Sequence, residues 1–371
     1  MKDIIIIGGG LSGLVNAVQL SAAGLDVLLI EKNEYPFHRV CGEYVSNEVK
    51  PFLHSIGLDV DSFRPAQIDH LSVTSPSGTR LDAPLKMGAF GISRYLFDHS
   101  LYQLASAKGC QARLNTQALD IRFDNDHFTV KLSDGTEEKA NIVLGTFGKR
   151  SNLDRQLQRT FFYKRSPYIG VKYHIRTEFP KDRIALHNFK DGYAGVSAIE
   201  GDRYCFCYLT TRENLKTHGS ISEMEKKILC KNPHLRELFQ HSEFLFEKPE
   251  VINEISFEKK NTIENHILFS GDTAGMIAPL CGNGMSMAIH GAKILSETIL
   301  KYYNPSFFDR AKAEQEYAQQ WNKQFARRLW VGKKIQDTFG QEWMTEAVVR
   351  TLKTLPPLTR WLIRQTHGQV I

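Results

Sequence analysis

Gly8-Gly9-Gly10-Leu11-Ser12-Gly13 lies between the β-branched run Lys2-Asp3-Ile4-Ile5-Ile6-Ile7 and a small-residue apolar stretch, residues 14–23. A GxGxxG sequence acquires meaning only in such a setting, with a strand before it and a helix after it. Gly8 then makes a tight turn, Gly10 lets the backbone approach a diphosphate, and Gly13 lets helix and strand pack closely. The free N–H groups and partial positive charge of the helix N-terminus face that diphosphate. Residues 27–30 read as the next strand, and Glu31, eighteen residues beyond Gly13, is placed to accept the hydroxyls of an adenosine ribose. A carboxylate there repels a 2′-phosphate, which disfavours NADP at this position. The chemistry is that of a bound dinucleotide.

A second loop lies far downstream. Gly271-Asp272-Thr273-Ala274-Gly275, then Pro279, then Gly282-Asn283-Gly284-Met285, follows a buried apolar strand at 267–270 and opens a helix at 284–301. Two loops so far apart in the chain that close on one long cofactor fit FAD better than NAD. A helix N-terminus at the pyrimidine edge of a flavin would stabilise the negative charge of its reduced form.

The elements that must position these loops follow from pattern. Residues 97–108 read as a helix, and 120–123, 128–132 and 141–144 as strands, with Asp134-Gly135 as a hairpin turn. Residues 160–255 read mainly as alternating strands (168–174, 193–199, 204–210) interrupted by a helix at 222–229. After Pro305 the pattern turns helical, with Tyr317, Trp321, Phe325 and Leu329 on one stripe. The chain has 371 residues, 42% hydrophobic and 24% charged, so it can bury a large core and is neither collagen-like nor disordered. Neither a signal peptide nor a transmembrane run is read, and the six dispersed cysteines suggest reduced thiols in a cytoplasmic protein. Cys205 and Cys207 fall on one face of a strand, but no second pair completes a zinc site, so no metal is expected. The net charge of +6 arises entirely in residues 301–371, which hold twelve Lys/Arg and six Asp/Glu. Such a segment can bind nucleic acid, anionic lipid or a partner, or be a solvated helical face. Nucleic acid is not expected as a partner.

The downstream loop resembles the second flavin motif of the para-hydroxybenzoate hydroxylase and geranylgeranyl reductase superfamily, in which the aspartate holds the ribityl chain. Residues 32–43, ending Cys41-Gly42-Glu43, resemble the basic-then-Cys-Gly-Glu stretch of geranylgeranyl reductase-like proteins. Ser93-Arg94-Tyr95-Leu96-Phe97-Asp98 resembles the superfamily's Arg-x-x-Phe-Asp helix, whose arginine contacts the cofactor. The resemblance covers roughly residues 1–155 and 260–300. It implies an α/β (α+β) chain with a Rossmann-like FAD-binding domain (1–75, 91–155 and 256–300). An inserted β-rich substrate domain (76–90 and 156–255) and a helical C-terminal cap (301–371) complete it. The implied FAD contacts are Gly8, Gly10, Leu11, Ser12, Gly13, Glu31, Lys32, Arg39, Cys41, Gly42, Arg94, Leu119, Gly148, Asp272, Gly282, Asn283, Gly284 and Met285. One departure is Gly145-Thr146-Phe147-Gly148, where the superfamily usually carries Ala-Asp-Gly. Phe147 replaces the aspartate, which bears on direct reduction by NAD(P)H and leaves a separate reductase as the other electron source. Lys149 and Arg150 either meet the phosphates of a nicotinamide dinucleotide or are surface charges.

With FAD bound, the cofactor carries the difficult step. The reading leans to a monooxygenase that hydroxylates a lipid-like or polyketide aromatic through a flavin hydroperoxide. A reductase that saturates isoprenoid double bonds stands close behind, and a non-catalytic or electron-carrying flavoprotein is a third class. Halogenation is disfavoured, because no Trp-x-Trp-x-Ile-Pro motif is present. Cys41 is the catalytic candidate, as proton donor or pocket wall, against a small buried hydrophobe. An apolar small molecule is the expected substrate. The aromatic and cationic tail either lies on a membrane surface or packs its stripe on the domain.

Overall fold

The computed structural model describes residues 1–371 except Pro279, Cys281, Pro305, Ser306, Phe339, Gly340 and His367; for Ile335, Asp337, Thr338, Arg364 and Thr366 only the backbone is described. Two sheets face each other across a cavity. The first has a parallel centre in the spatial order Ile267–Phe269, Glu137–Gly145, Lys2–Ile7, Val27–Ile30, Gln111–Arg113. Ile4, Ile5 and Ile6 are wholly buried, as a central parallel strand covered on both faces requires. The strands Ala118–Asp124 and His127–Leu132 extend it as an antiparallel meander through the expected turn at Asp134-Gly135. The helices Leu11–Ala22 and Gly284–Tyr302 follow the two glycine loops and pack against each other. Ser296 Oγ donates to Asn16 Oδ1 at 2.7 Å between them. The helix expected from residue 97 begins at Arg94, because the Ser93 hydroxyl caps it by accepting from Leu96 N at 3.2 Å.

The second sheet runs Glu243–Phe244, Tyr168–Arg176, Tyr204–Thr211, Gly192–Ala198, Arg183–Phe189, Ala66–Thr74, Arg80–Gly91, Tyr44–Ser46, with Glu250–Asn253 beside Tyr168–Arg176. Ala66–Thr74 and Tyr44–Ser46 fall in the part of the chain expected to belong to the first layer. The reason is local. A boundary at residue 76 cuts through a hairpin whose turn is closed by Ser75 N donating to Thr79 O at 2.9 Å, so Ala66–Thr74 follows its partner into the second sheet. The helical interruption is also longer than expected, with Arg212–His218, Ile221–Lys227 and Pro233–His241 in succession.

Three helices close the chain: Arg310–Thr338, Glu342–Thr354 and Pro356–Thr366. The stripe Tyr317, Trp321 and Phe325 is buried, and the Tyr317 hydroxyl donates to Phe269 O at 2.6 Å. That stripe is core and is not available to a membrane. The last two helices pack instead on the strand Arg80–Gly91 of the second sheet. Among the described residues, no helix is long and apolar enough to cross a membrane.

Candidate active site: a cavity between the two sheets

The two glycine loops, distant in sequence, meet through one hydrogen bond: Ser12 Oγ donates to Ser270 Oγ at 2.7 Å. The turn after Gly145 is stitched to both. Thr146 Oγ1 donates to Gly8 O at 2.6 Å, and Gly148 N donates to Thr273 Oγ1 at 2.9 Å. Gly8 has φ +103°, and a Cβ there would stand 2.5 Å from Thr146 O, so the turn requires glycine.

These loops open on a cavity of about 1440 Å³. Gly8, Gly10, Leu11, Ser12, Glu31, Lys32, Arg39, Cys41, Gly42, Arg94, Gly148, Asp272, Gly282, Gly284 and Met285 all line it. Three expected contacts do not. Gly13 lies beneath the turn, where a Cβ would be 2.0 Å from Gly8 O; its role is packing. Asn283 is wholly buried behind the second loop. Leu119 is 40% exposed, turned outward where the pairing of Ala118–Asp124 with its neighbour slips by a residue, and Ala118 lines the cavity in its place. Pro279 lies outside the described residues.

One end of the cavity is organised around Glu31. Its Oε2 accepts from Gly9 N at 2.8 Å and from Arg39 Nη2 at 3.2 Å, and its Oε1 accepts from Asn33 N at 3.1 Å. Arg39 Nε also donates to Asp98 Oδ2 at 3.0 Å, while Arg94 grips both oxygens of Asp98 at 2.6 and 2.7 Å. Asp98 was part of the recognised helix signature but carried no role in it; it is the buried anion that orients the two arginines. Tyr35, whose hydroxyl donates to Gly9 O, had no sequence signal.

At the other end, burial raises the Asp272 carboxyl above its ordinary range, opposed by Lys260, Arg94 and Lys149. Burial in turn pulls Lys260 and Lys149 down to about 8. Phe147 packs edge-on against Phe269 at 5.9 Å between ring centroids and brings no carboxylate to the cavity. Lys149 donates to Asn253 O, and Arg150 donates to Phe162 O at 2.7 Å while lying over that ring.

Beneath the Cys41-Gly42 loop sits a charged group that sequence reasoning missed. Glu43, Lys172 and His174 are buried. Lys172 Nζ and His174 Nε2 lie 2.5 and 2.6 Å from the Glu43 oxygens, and Arg94 N donates to Glu43 Oε1 at 2.7 Å. Lys172 and His174 alternate along one strand, which is a polar pattern. Sequence cannot say that this face turns inward.

The residues fit FAD. The space beside Gly10 is open, with the nearest atom 4.0 Å from a Cβ built there, which leaves a cradle for a diphosphate. Neither helix at the glycine loops has an acid in its first turn to compete with an anionic group. The volume exceeds that of ordinary single-ligand pockets and leaves room for a second molecule. Residues 1–324 match the FAD binding domain family, and the chain belongs to that family. The protein is an FAD-dependent oxidoreductase.

Its relatives span several activities. The chain is 22% identical to conditioned medium factor receptor 1 of Dictyostelium discoideum over 81% of this chain and 64% of that protein's length. It is 23% identical to digeranylgeranylglycerophospholipid reductase 2 of Methanococcoides burtonii over 91% of this chain and 84% of that protein. A rifampicin monooxygenase of Rhodococcus hoagii is 31% identical over 45% of this chain and 35% of its own. The structure of a geranylgeranyl bacteriochlorophyll reductase-like protein from Thermoplasma acidophilum superposes with a TM-score of 0.78 at 18% identity, covering 98% and 95% of the two chains.

Asp272→Ala should weaken FAD retention about tenfold, through loss of the polar contact to the ribityl chain that the family resemblance implies. The ratio of flavin to protein absorbance after gel filtration measures it, and an unchanged ratio rules the contact out.

Proposed function

We propose that this oxidoreductase saturates carbon–carbon double bonds in a long, apolar, isoprenoid-like molecule. The observation that carries this reading is the wall which the second sheet and the last helices give the cavity. Leu71, Val73, Leu81, Leu85, Ile184, Leu186, Leu209, Val348, Leu352, Leu362 and Ile363 make it aliphatic. Hydroxylation of a phenol draws on a base that takes the ring hydroxyl's proton. The titratable groups that the second sheet brings to the cavity are Tyr44, Tyr193, Cys207, Tyr208 and the exposed Glu250. Burial pushes Cys207 up to about 12 and Tyr208 well above its ordinary value, so both keep their protons. The relatives named as digeranylgeranylglycerophospholipid reductases support the same substrate class.

Bound, reduced FAD supplies a hydride. The chain's own part is to hold the cofactor between the two glycine loops, exclude water with the aliphatic wall, and present a proton. Cys41 lines the cavity together with Arg94, whose guanidinium is fixed by both oxygens of Asp98. Cys205 Sγ donates to Cys41 O at 3.2 Å and steadies the loop. Either NAD(P)H or a separate reductase serves as electron source.

Photoreduced holoprotein mixed anaerobically with a polyprenyl lipid should yield product heavier by two hydrogens per bond, with two deuteriums per bond in heavy water, because the transferable hydrogen of a reduced flavin exchanges with solvent. Cys41→Ser should slow this step by about 100-fold or more at unchanged flavin content. An equal rate removes Cys41 from the chemistry. Hydroxylation, which the sequence favours and the rifampicin monooxygenase likeness supports, predicts instead a product heavier by one oxygen, formed only in air.

A further inference from the structure

The last two helices have two apolar faces. Val348, Leu352, Leu362 and Ile363 line the cavity. Of the same helices, Trp343 is 71% and Trp361 53% exposed, and Leu355, Pro356, Pro357 and Leu358 are exposed where the helices join. Exposed tryptophan and leucine at the tip of a helical hairpin have no gain in water, whereas tryptophan is favoured at a bilayer interface. Lys353 and Arg360 are exposed on the same hairpin, within the segment that carries the chain's entire net positive charge, while Arg350, also exposed, pairs with Glu346 at 2.8 Å.

We propose that this hairpin docks the protein on an anionic lipid bilayer, with Leu355, Leu358 and Trp361 in the interface and the basic side chains at the headgroups. Two features favour a bilayer over a protein partner. The cationic rim is complementary to anionic lipid. The same two helices that carry the exposed tip also give Val348, Leu352, Leu362 and Ile363 to the cavity, so a bilayer at the tip would hold apolar molecules close to it. The surface does not depend on which reaction the cavity performs. The buried stripe Tyr317–Phe325 takes no part.

Holoprotein is sedimented with phosphatidylcholine vesicles, with and without phosphatidylglycerol. Binding should require the anionic lipid and fall as salt is raised. Lys353→Gln with Arg360→Gln should weaken it by about 25-fold, roughly fivefold for each cation. Leu358→Ser with Trp361→Ser should weaken it by about tenfold or more, through lost apolar burial. Flavin content and Tm, compared with wild type, confirm that the variants fold. No sedimentation with anionic vesicles, or sedimentation indifferent to both variants, overturns the proposal. A dimer in solution that Leu358→Ser with Trp361→Ser splits, without vesicle binding, gives the surface to a second copy and also overturns it.

Discussion

Glu43→Ala lowers folding stability by about 3–5 kcal/mol, the cost of leaving a buried ion pair with one member. Lys172 and Glu43 are both wholly buried, so the ammonium left behind keeps the neutral Arg39 O, at 3.1 Å, but loses the carboxylate that balances its charge. The backbone N–H of Arg94 loses its acceptor in the same step. The effect therefore reaches the Cys41-Gly42 loop and the start of the helix Arg94–Ala107, and flavin content falls with stability. Urea unfolding monitored by tryptophan fluorescence measures the loss; a change below about 1 kcal/mol would mean that Lys172 finds another partner. Glu43→Leu combined with Lys172→Met should regain much of it, because no charge is then stranded.

The same group sets an acid limit. Burial pushes the Glu43 carboxyl up, but Lys172 and His174 together outweigh it and hold the group down to about 2. A carboxyl held below its unfolded value stabilises the fold at pH above that value. Its contribution is thus complete above 4.5 and disappears as the pH falls to about 2. Glu43→Gln should flatten that part of the stability profile.

Gly13→Ala should yield colourless protein. A Cβ at this position would sit 2.0 Å from Gly8 O and 2.8 Å from Thr146 Oγ1. The first is a backbone atom held by its own hydrogen bond from Thr146, so it cannot swing aside as a flexible side chain would. The helix Leu11–Ala22 must move off the strand Lys2–Ile7, and the diphosphate cradle at Gly10 moves with it. FAD affinity should drop by about 100-fold or more, with the intrinsic overpacking cost about 1–3 kcal/mol. Added FAD should then raise Tm far less than in the wild type, because stabilisation by a ligand scales with its occupancy. A yellow Gly13→Ala protein with normal flavin content would refute the close-packing role.

What could be read from the sequence was chemistry encoded locally. Each glycine loop carries its own strand and helix, and Glu31 stands a fixed distance from the first, so they could be expected to face one site, and they line one cavity. The elements inside each layer were legible where period and turn residues agreed, as at Asp134-Gly135. What could not be read depends on which way a strand face turns. Lys172 and His174 are unremarkable in a strand until the strand is seen to pack beneath the Cys41-Gly42 loop. Leu119 and Ala118 exchange roles through a slip in strand pairing that leaves no trace in residue type. The aromatic stripe and the exposed tryptophans of the tail have the same composition, yet the first is core and the second faces outward; only packing separates them.

The bond from Ser12 to Ser270 joins chain positions with the whole second sheet between them. Loop closure on that scale is entropically slow, and local structure alone cannot reward it. A nascent chain that has emerged only as far as the second sheet has half a nucleotide site and nothing to grip with it. Colour in this protein therefore arrives late and all at once, and acquisition of the yellow coenzyme marks the completion of the entire molecule rather than of its first domain.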